Sequence, residues 1–184
     1  MIHEIRLYGD PVLRKPALRV NEFDHRLQQL AEDLMTTQEQ AGAVGLAAVQ
    51  IGSNWNVFSV DGTQVQRRGR REVLVNPEIA DQDGEIVDEE GCLSFPGIFV
   101  KIARPARVAI RALDLKGKEI EREAEGFLAR AYLHEIEHLQ GRLFIDRIDP
   151  DTRARIVGRM QSLTAKQEPA RRVFPLVPGR DGGT

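Results

Sequence analysis

Residues 131–139 form the stretch Ala131-Tyr132-Leu133-His134-Glu135-Ile136-Glu137-His138-Leu139. It contains the pattern H-E-x-x-H. On an α-helix, positions i and i+4 lie on one face, so His134 and His138 can bind one ion between them. Glu135 projects about 100° round the helix from His134 and can reach a water molecule on that ion. We therefore predict a helix that carries a metal site.

The residues around this pattern favour a largely buried helix. The stretch from Phe127 to Leu139 contains neither glycine nor proline, and Gly141 follows as a stop signal. Its apolar residues are spread over several faces: Phe127, Leu128, Ala131, Leu133, Ile136 and Leu139. Two histidines and two glutamates on a buried helix are costly unless something pairs with them. A metal ion would be such a partner, and histidines satisfied by hydrogen bonds in the core are the alternative.

The composition is that of one globular domain. The chain has 184 residues, of which 41% are hydrophobic and 29% charged, with a formal net charge of −2. This charge gives no case for binding DNA or membranes, and no apolar run approaches a transmembrane span. The N-terminus has no signal-peptide pattern, and a single cysteine fits a reducing cytosol, so we predict a cytoplasmic protein. Residues 1–166 are expected to form the domain and residues 167–184 a flexible tail.

The order of the predicted elements indicates an α+β fold. A helix from about His25 to Gln40 follows the N-cap Asp24, and a last helix runs from about Asp151 to Ala165. The strand candidates lie between them, at Trp55–Val60, Glu72–Asn76, Glu78–Val87, Ile98–Ile102, Arg107–Leu113 and Lys118–Ala124. Strands grouped between terminal helices favour an antiparallel or mixed sheet over a βαβ fold. The arginines at 67, 68, 70 and 71 have no aromatic residues among them, which favours a solvated loop over a nucleic-acid surface.

Two other stretches are unusual in composition. Residues 41–52 are small and apolar apart from Gln50, which suits a backbone that approaches a ligand closely. A tightly packed loop or strand with Gln50 facing solvent is an equal alternative. Residues 89–97 hold Cys92, the only cysteine, between Gly91 and a Pro-Gly turn. Two imidazoles and a thiolate would suit Zn²⁺ or Fe²⁺ with a fourth position for water. A buried structural cysteine and a Cys-His nucleophile pair are the alternatives.

Taken together, these stretches resemble the peptide deformylase family. The matching motifs are Val44-Gly45-Leu46-Ala47-Ala48-x-Gln50, Glu90-Gly91-Cys92-Leu93-Ser94 and His134-Glu135-Ile136-x-His138-Leu139-x-Gly141. Tyr8-Gly9-Asp10-Pro11-Val12-Leu13-Arg14 and Leu143-Phe144-x-Asp146-Arg147 match as well, so the resemblance covers about residues 3–165. It implies an α+β fold, with mixed or antiparallel sheets packed around a central metal-binding helix, followed by a C-terminal helix, in a cytoplasmic protein of bacterial type.

The resemblance also implies the function and the site. The enzyme would remove the formyl group from the N-terminal formylmethionine of nascent chains and release formate. Cys92, His134 and His138 would bind one divalent metal ion, Fe²⁺ by preference, with Zn²⁺ or another divalent ion as the alternative. Glu135 would act as general base and acid, while the Gln50 amide and the Leu93 backbone N–H would donate to the formyl oxygen. The substrate would be contacted by Gly45, Glu90 and Gly91.

Three positions depart from the family pattern, and two other functions compete with this one. Ala43 replaces the usual glycine, Leu133 the usual glutamine and Glu137 the usual aspartate. An HExxH zinc metalloprotease would need a third ligand after the helix, but His3 and His25 lie far before it. A metal-binding domain without catalysis would need neither Glu135 nor Gln50.

The ribosome is a further expected partner. A basic surface on or just after the last helix would dock weakly near the peptide exit; it comprises Arg153, Arg155, Arg159, Lys166, Arg171 and Arg172. A solvated helix with a disordered tail is the alternative.

Overall fold

In a computed structural model of the protein, residues 1–65 and 69–165 are described. Three α-helices occur among these residues: α1 (His25–Ala41), α2 (Gly126–Leu139) and α3 (Pro150–Ala165). They confirm the predicted helices, and the Asp24 side chain accepts hydrogen bonds from the backbone of Arg26 and Leu27 as the predicted N-cap. The expected tail at 167–184 lies outside the described residues, as do Arg67, Arg68, Lys166, Arg171 and Arg172.

Within residues 1–65 and 69–165, seven strands form two antiparallel sheets. They are β1 (Gly45–Ala47), β2 (Val57–Asp61), β3 (Arg71–Asp83), β4 (Ile86–Gly91), β5 (Phe99–Arg104), β6 (Arg107–Leu113) and β7 (Glu119–Glu125). One sheet has the order β1-β2-β3-β6-β7, and the other pairs β4 with β5. The α+β class with antiparallel sheets is therefore confirmed.

The larger sheet is covered on both faces. Successive residues of a strand point to opposite faces. Phe58 and Leu74 accordingly join the core that contains Tyr132 and Ile136 of α2, whereas Val57 and Val75 join the core beneath α1. Every residue of α2 from 132 to 139 is buried, and the helix packs against β1, β2, β6 and β7. The sheet thus fixes the position of the H-E-x-x-H pattern.

One predicted strand boundary is wrong. Glu72–Asn76 and Glu78–Val87 were expected as two strands, but residues 71–83 form a single strand whose register shifts at Asn76 and Pro77. Proline cannot donate to a ladder, so the strand accommodates it in an irregularity instead of ending there. The chain breaks later, at Gly84 (φ +67°), and β4 leaves for the second sheet.

An N-terminal strap, residues 6–17, touches all three sequence motifs. The backbone N–H of Arg6 donates to the Gln50 carbonyl at 2.7 Å, and that of Tyr8 donates to the Ser94 carbonyl at 2.9 Å. The N–H of Ala17 donates to the Leu139 carbonyl at 2.7 Å. Through these hydrogen bonds, the strap connects Gln50, Ser94 and Leu139, which are distant from one another in sequence.

Candidate active site

The three predicted metal ligands converge in the structure. Cys92 follows the end of β4, while His134 and His138 lie one turn apart on α2. One potential ligand atom from each residue lies within 4.8 Å of the other two, and all three residues are buried. The Cys92 Sγ and His138 Nε2 atoms are 3.2 Å apart. One thiolate and two imidazoles at this spacing fit a tetrahedral Zn²⁺ or Fe²⁺ site that keeps one position open.

Glu90 orients one of these ligands. Its Oε1 atom lies 2.6 Å from His134 Nδ1, so the Nε2 atom of that ring is left for the site. Arg104 binds both carboxylate oxygens of Glu90, at 2.5 and 2.6 Å, and Arg130 binds Oε2 at 2.9 Å. Burial alone would raise the pKa of Glu90, but Arg104 and His134 lower it well below its usual range. Glu90 was predicted to contact substrate, yet both of its oxygens are already engaged by protein groups.

Glu137 extends this buried network toward the surface. Its Oε2 atom lies 3.0 Å from Arg104 Nη1, at an angle outside hydrogen-bond geometry, and its Oε1 atom accepts from Arg147 Nε at 2.8 Å. The longer side chain at this unusual position thus connects two arginines. Leu133, another departure from the family pattern, is only 3% exposed and packs in the core with Ile136.

Glu135 lies against the backbone of β1. A Cβ atom built on Gly45 would be 2.6 Å from Glu135 Oε1, so only glycine leaves room for the carboxylate there. The Oε2 atom of Glu135 is buried and has no hydrogen-bond partner among the described residues. Burial raises the pKa of Glu135 to about 7. A carboxyl group with this pKa can accept and return a proton near neutral pH.

Gln50 is buried and faces the same site, so the alternative in which it faces solvent is wrong. Its Oε1 atom accepts from the Ala47 backbone N–H at 2.9 Å, which fixes the orientation of the amide. Its Nε2 atom therefore points toward Ser94 Oγ at 3.2 Å and Cys92 Sγ at 3.6 Å. An N–H donor is thereby held beside the predicted metal ligand Cys92.

A cavity of about 300 Å³ opens onto these groups. All the proposed catalytic and substrate-contacting residues line it, namely Gly45, Gln50, Glu90, Gly91, Leu93 and Glu135. Its apolar wall also contains Val44, Phe99, Phe127 and Ala131. Sequence reasoning assigned no site role to Phe99, Phe127 or Arg130. An arginine among the otherwise apolar residues 127–133 was the available signal for Arg130.

Comparisons with known proteins point to one family. A model of the polypeptide deformylase family matches residues 2–154. The peptide deformylase of Thermodesulfovibrio yellowstonii is 46% identical over 149 residues, which cover 81% of this chain and 90% of that protein. The Clostridium botulinum peptide deformylase is 50% identical over 146 residues, 79% of this chain and 96% of that protein. A Legionella pneumophila peptide deformylase crystal structure superposes with a TM-score of 0.84 at 38% identity, covering 94% and 99% of the respective chains.

The chain belongs to the peptide deformylase family. The prediction drawn from the sequence motifs is therefore confirmed. Peptide deformylases are metal-dependent amide hydrolases that remove the N-formyl group from nascent polypeptides, so neither the metalloprotease nor the non-catalytic domain is favoured. Within the described part of the chain, no helix has both the length and the apolar content needed to cross a membrane.

Proposed function

We propose that this deformylase binds a divalent metal ion through Cys92, His134 and His138 and acts on the formylmethionyl end of peptides. The observation that supports this proposal most is the convergence of the three ligand atoms within 4.8 Å of one another, beside a cavity lined by Cys92, His134, Glu135 and Gln50. When bound, the metal ion lowers the pKa of a water molecule and so supplies a nucleophile near neutral pH.

Glu135 is the proposed general base and acid. One of its carboxylate oxygens has no hydrogen-bond partner among the residues that the structure describes, and burial raises the pKa of Glu135 to about 7. It takes the proton from the attacking water and delivers it to the amine that leaves the formyl carbon. The products are formate and a free amino terminus.

Gln50 and Leu93 are proposed to stabilise the oxyanion that develops on the formyl oxygen. The Gln50 amide is held in place from both ends, and Leu93 lies in the cavity wall next to Cys92. Donors that are preset before the reaction need no reorganisation when charge develops, and each can contribute about 3 kcal/mol.

The substrate is proposed to lie as an extended chain between β1 and β4. β1 is the edge strand of its sheet, so one of its sides is open to a further strand, and Gly45 and Gly91 present backbone there. The apolar wall at Val44, Phe127 and Ala131 suits a methionine side chain. The Arg130 guanidinium also donates to the Ile102 carbonyl at 3.1 Å, so its charged end is already occupied. We assign Glu90 to orienting His134, not to binding substrate.

The same proposal includes the domain bounds, the native metal ion and the location of the protein in the cell. Residues 1–166 act as one catalytic domain, in which α2 is the central metal-binding helix, and Fe²⁺ is the native ion. The protein acts in the cytoplasm, where nascent chains are made.

Formate release tests the proposed function directly. The protein should release formate from formyl-Met-Ala-Ser and leave the unformylated peptide uncleaved. Glu135→Gln should reduce kcat by roughly 2–4 orders of magnitude, because proton transfer is lost, while metal content and melting temperature stay close to those of the wild type. Turnover near the wild-type level in this variant would exclude the proposed role of Glu135.

Docking at the ribosome is a second proposal. Of the three arginines of the predicted basic surface that lie on α3, two are exposed. Arg153 points inward, where its guanidinium donates to the carbonyls of Ile145 and Asp146, each at 2.9 Å. Arg155 and Arg159 on α3 are exposed. Met160 of α3 is fully buried, so deleting the helix would open the core. We therefore test docking by charge reversal and not by truncation.

The double variant Arg155→Glu/Arg159→Glu should co-sediment more weakly with ribosomes at low salt while formate release from free peptide is unchanged. Arg111→Glu, a reversal at an exposed arginine on β6, is the control. Equal co-sedimentation of the wild type and the double variant would argue against docking through α3.

A further inference from the structure

Gln38 on α1 is buried although no step of the proposed reaction uses it. Its Nε2 atom donates to the carbonyl oxygens of Ala43 at 3.1 Å and Val44 at 2.9 Å. Its Oε1 atom is buried and accepts no hydrogen bond from the described residues. An unpaired buried acceptor is unfavourable, so a glutamine here is a poor choice if stability alone is at stake.

The two carbonyls lie just before β1, next to the first pair of its ladder. The pairing with β2 ends at Gly45, which is opposite Val60. Beyond that pair, the Val44 carbonyl accepts from the Asp61 backbone N–H at 2.8 Å, and the Ala43 carbonyl accepts from Gln64 Nε2 at 3.0 Å. Gln38 gives each of these carbonyls a second donor. Side chains thus hold the backbone where the strand pairing stops.

This backbone forms part of the substrate cavity. Val44 lines the cavity together with Phe127 and Ala131, the wall assigned above to the methionine side chain. Ala47 lies farther along β1, opposite Phe58, and is held by the ladder and not by Gln38. Loosening Ala43 and Val44 would therefore disturb the side-chain pocket more than it would disturb Gln50 or the metal ligands.

We propose that Gln38 is a positioning residue that fixes the Val44 wall of the cavity and so determines the affinity for the formylmethionyl side chain. This inference rests on the proposed function, because it assigns Val44 to substrate binding. Loss of the two hydrogen bonds from Gln38 should therefore raise KM. The value of kcat should stay nearly constant, because it depends on Glu135 and the preset donors.

Gln38→Met tests the proposal. Methionine has a similar length but neither the donor nor the unpaired acceptor, and each carbonyl keeps its other donor, so the fold should survive. We expect KM for formyl-Met-Ala-Ser to rise about tenfold with kcat within about twofold of the wild type, the scale of losing one or two hydrogen bonds. Hydrogen exchange in residues 43–47 should become faster, and this measurement does not depend on activity.

Asn76→Ala is the matched control. The Asn76 side chain is a buried amide that makes two hydrogen bonds of 2.8 Å to the backbone of Val20, and neither residue lines the cavity. The control should lower the melting temperature and leave KM unchanged. A wild-type KM or unchanged exchange in Gln38→Met would overturn the inference, as would an equal rise of KM in Asn76→Ala. Absence of formate release by the wild type would instead refute the proposed function. Hydrogen exchange in residues 43–47 would then be the measurement that decides whether Gln38 holds this backbone.

Discussion

Replacing Gly45 by alanine should damage catalysis without damaging the fold. The new Cβ atom would lie 2.6 Å from Glu135 Oε1, 2.8 Å from its Cγ and 2.9 Å from its Cδ, whereas real Cβ contacts essentially never fall below 3.0 Å. The carboxylate must therefore retreat by at least about 0.4 Å, and by more to reach ordinary van der Waals contact. Misplacing a catalytic group by about 1 Å can cost about 100-fold in rate, so we expect kcat to fall about 10- to 100-fold.

The assay compares formate release, metal content and melting temperature in Gly45→Ala, Gly158→Ala and the wild type. Gly158 lies on α3, and a Cβ atom added there meets nothing within 4 Å. That control should retain full activity and gain up to about 1 kcal/mol of stability, because alanine is the better helix former. Wild-type kcat in Gly45→Ala would refute the placement of Glu135 against β1. A parallel loss of metal would mean that the ligands, and not Glu135, had moved.

Three further predictions concern the metal and the stability of the fold. Cys92→Ser should lose metal and activity together, as measured by elemental analysis and formate release; full activity with metal bound would show that Cys92 is not a ligand. If Fe²⁺ is native, air should inactivate the iron enzyme but not the Zn²⁺-reconstituted one, and equal sensitivity of both would exclude iron oxidation as the cause. Burial alone would raise the pKa of Asp33, but hydrogen bonds from the N-terminal ammonium, His3 and Gln29 lower it to about 2. The ionised form therefore stabilises the fold above about pH 4, so the stability advantage of the wild type over Asp33→Asn in urea unfolding should disappear as the pH falls toward about 2; an advantage that persists there would contradict this account.

Helix α2 could be predicted from sequence because its signal is local. The i, i+4 spacing of His134 and His138 and the stop signal at Gly141 act within a few residues of each other. The proximity of Cys92 and Gln50 to α2 could not be predicted in this way, because no periodic pattern in the sequence connects them to that helix. The family resemblance placed them together, and the structure then showed their distances.

The buried charges around the site could not be predicted from sequence patterns. Arg104 meets Glu90 across two paired strands and meets Glu137 on a helix, and such contacts depend on the complete fold. The same limit applies to Gln38, which reads in sequence as one more polar residue of a helix. Its importance appears only when the carbonyls of the turn after α1 are located. At Pro77 a local signal gave the wrong strand boundary. Proline is unfavourable inside strands, but β3 accommodates it in an irregularity and continues.

The N-terminal strap makes assembly of the site a late event in the life of the chain. Residues 6–17 are synthesised before α2, and the Ala17 N–H can bond only after the carbonyl of Leu139, about 120 residues later, has been made. Contacts that close such long loops form slowly, after local helices and hairpins. A chain still emerging from the ribosome, or one cut short before α2, has the strap but not the partner that completes it. Such a fragment also lacks His134 and His138, the two proposed ligands on α2, so under this proposal it should have no partial activity before synthesis of α2 is finished.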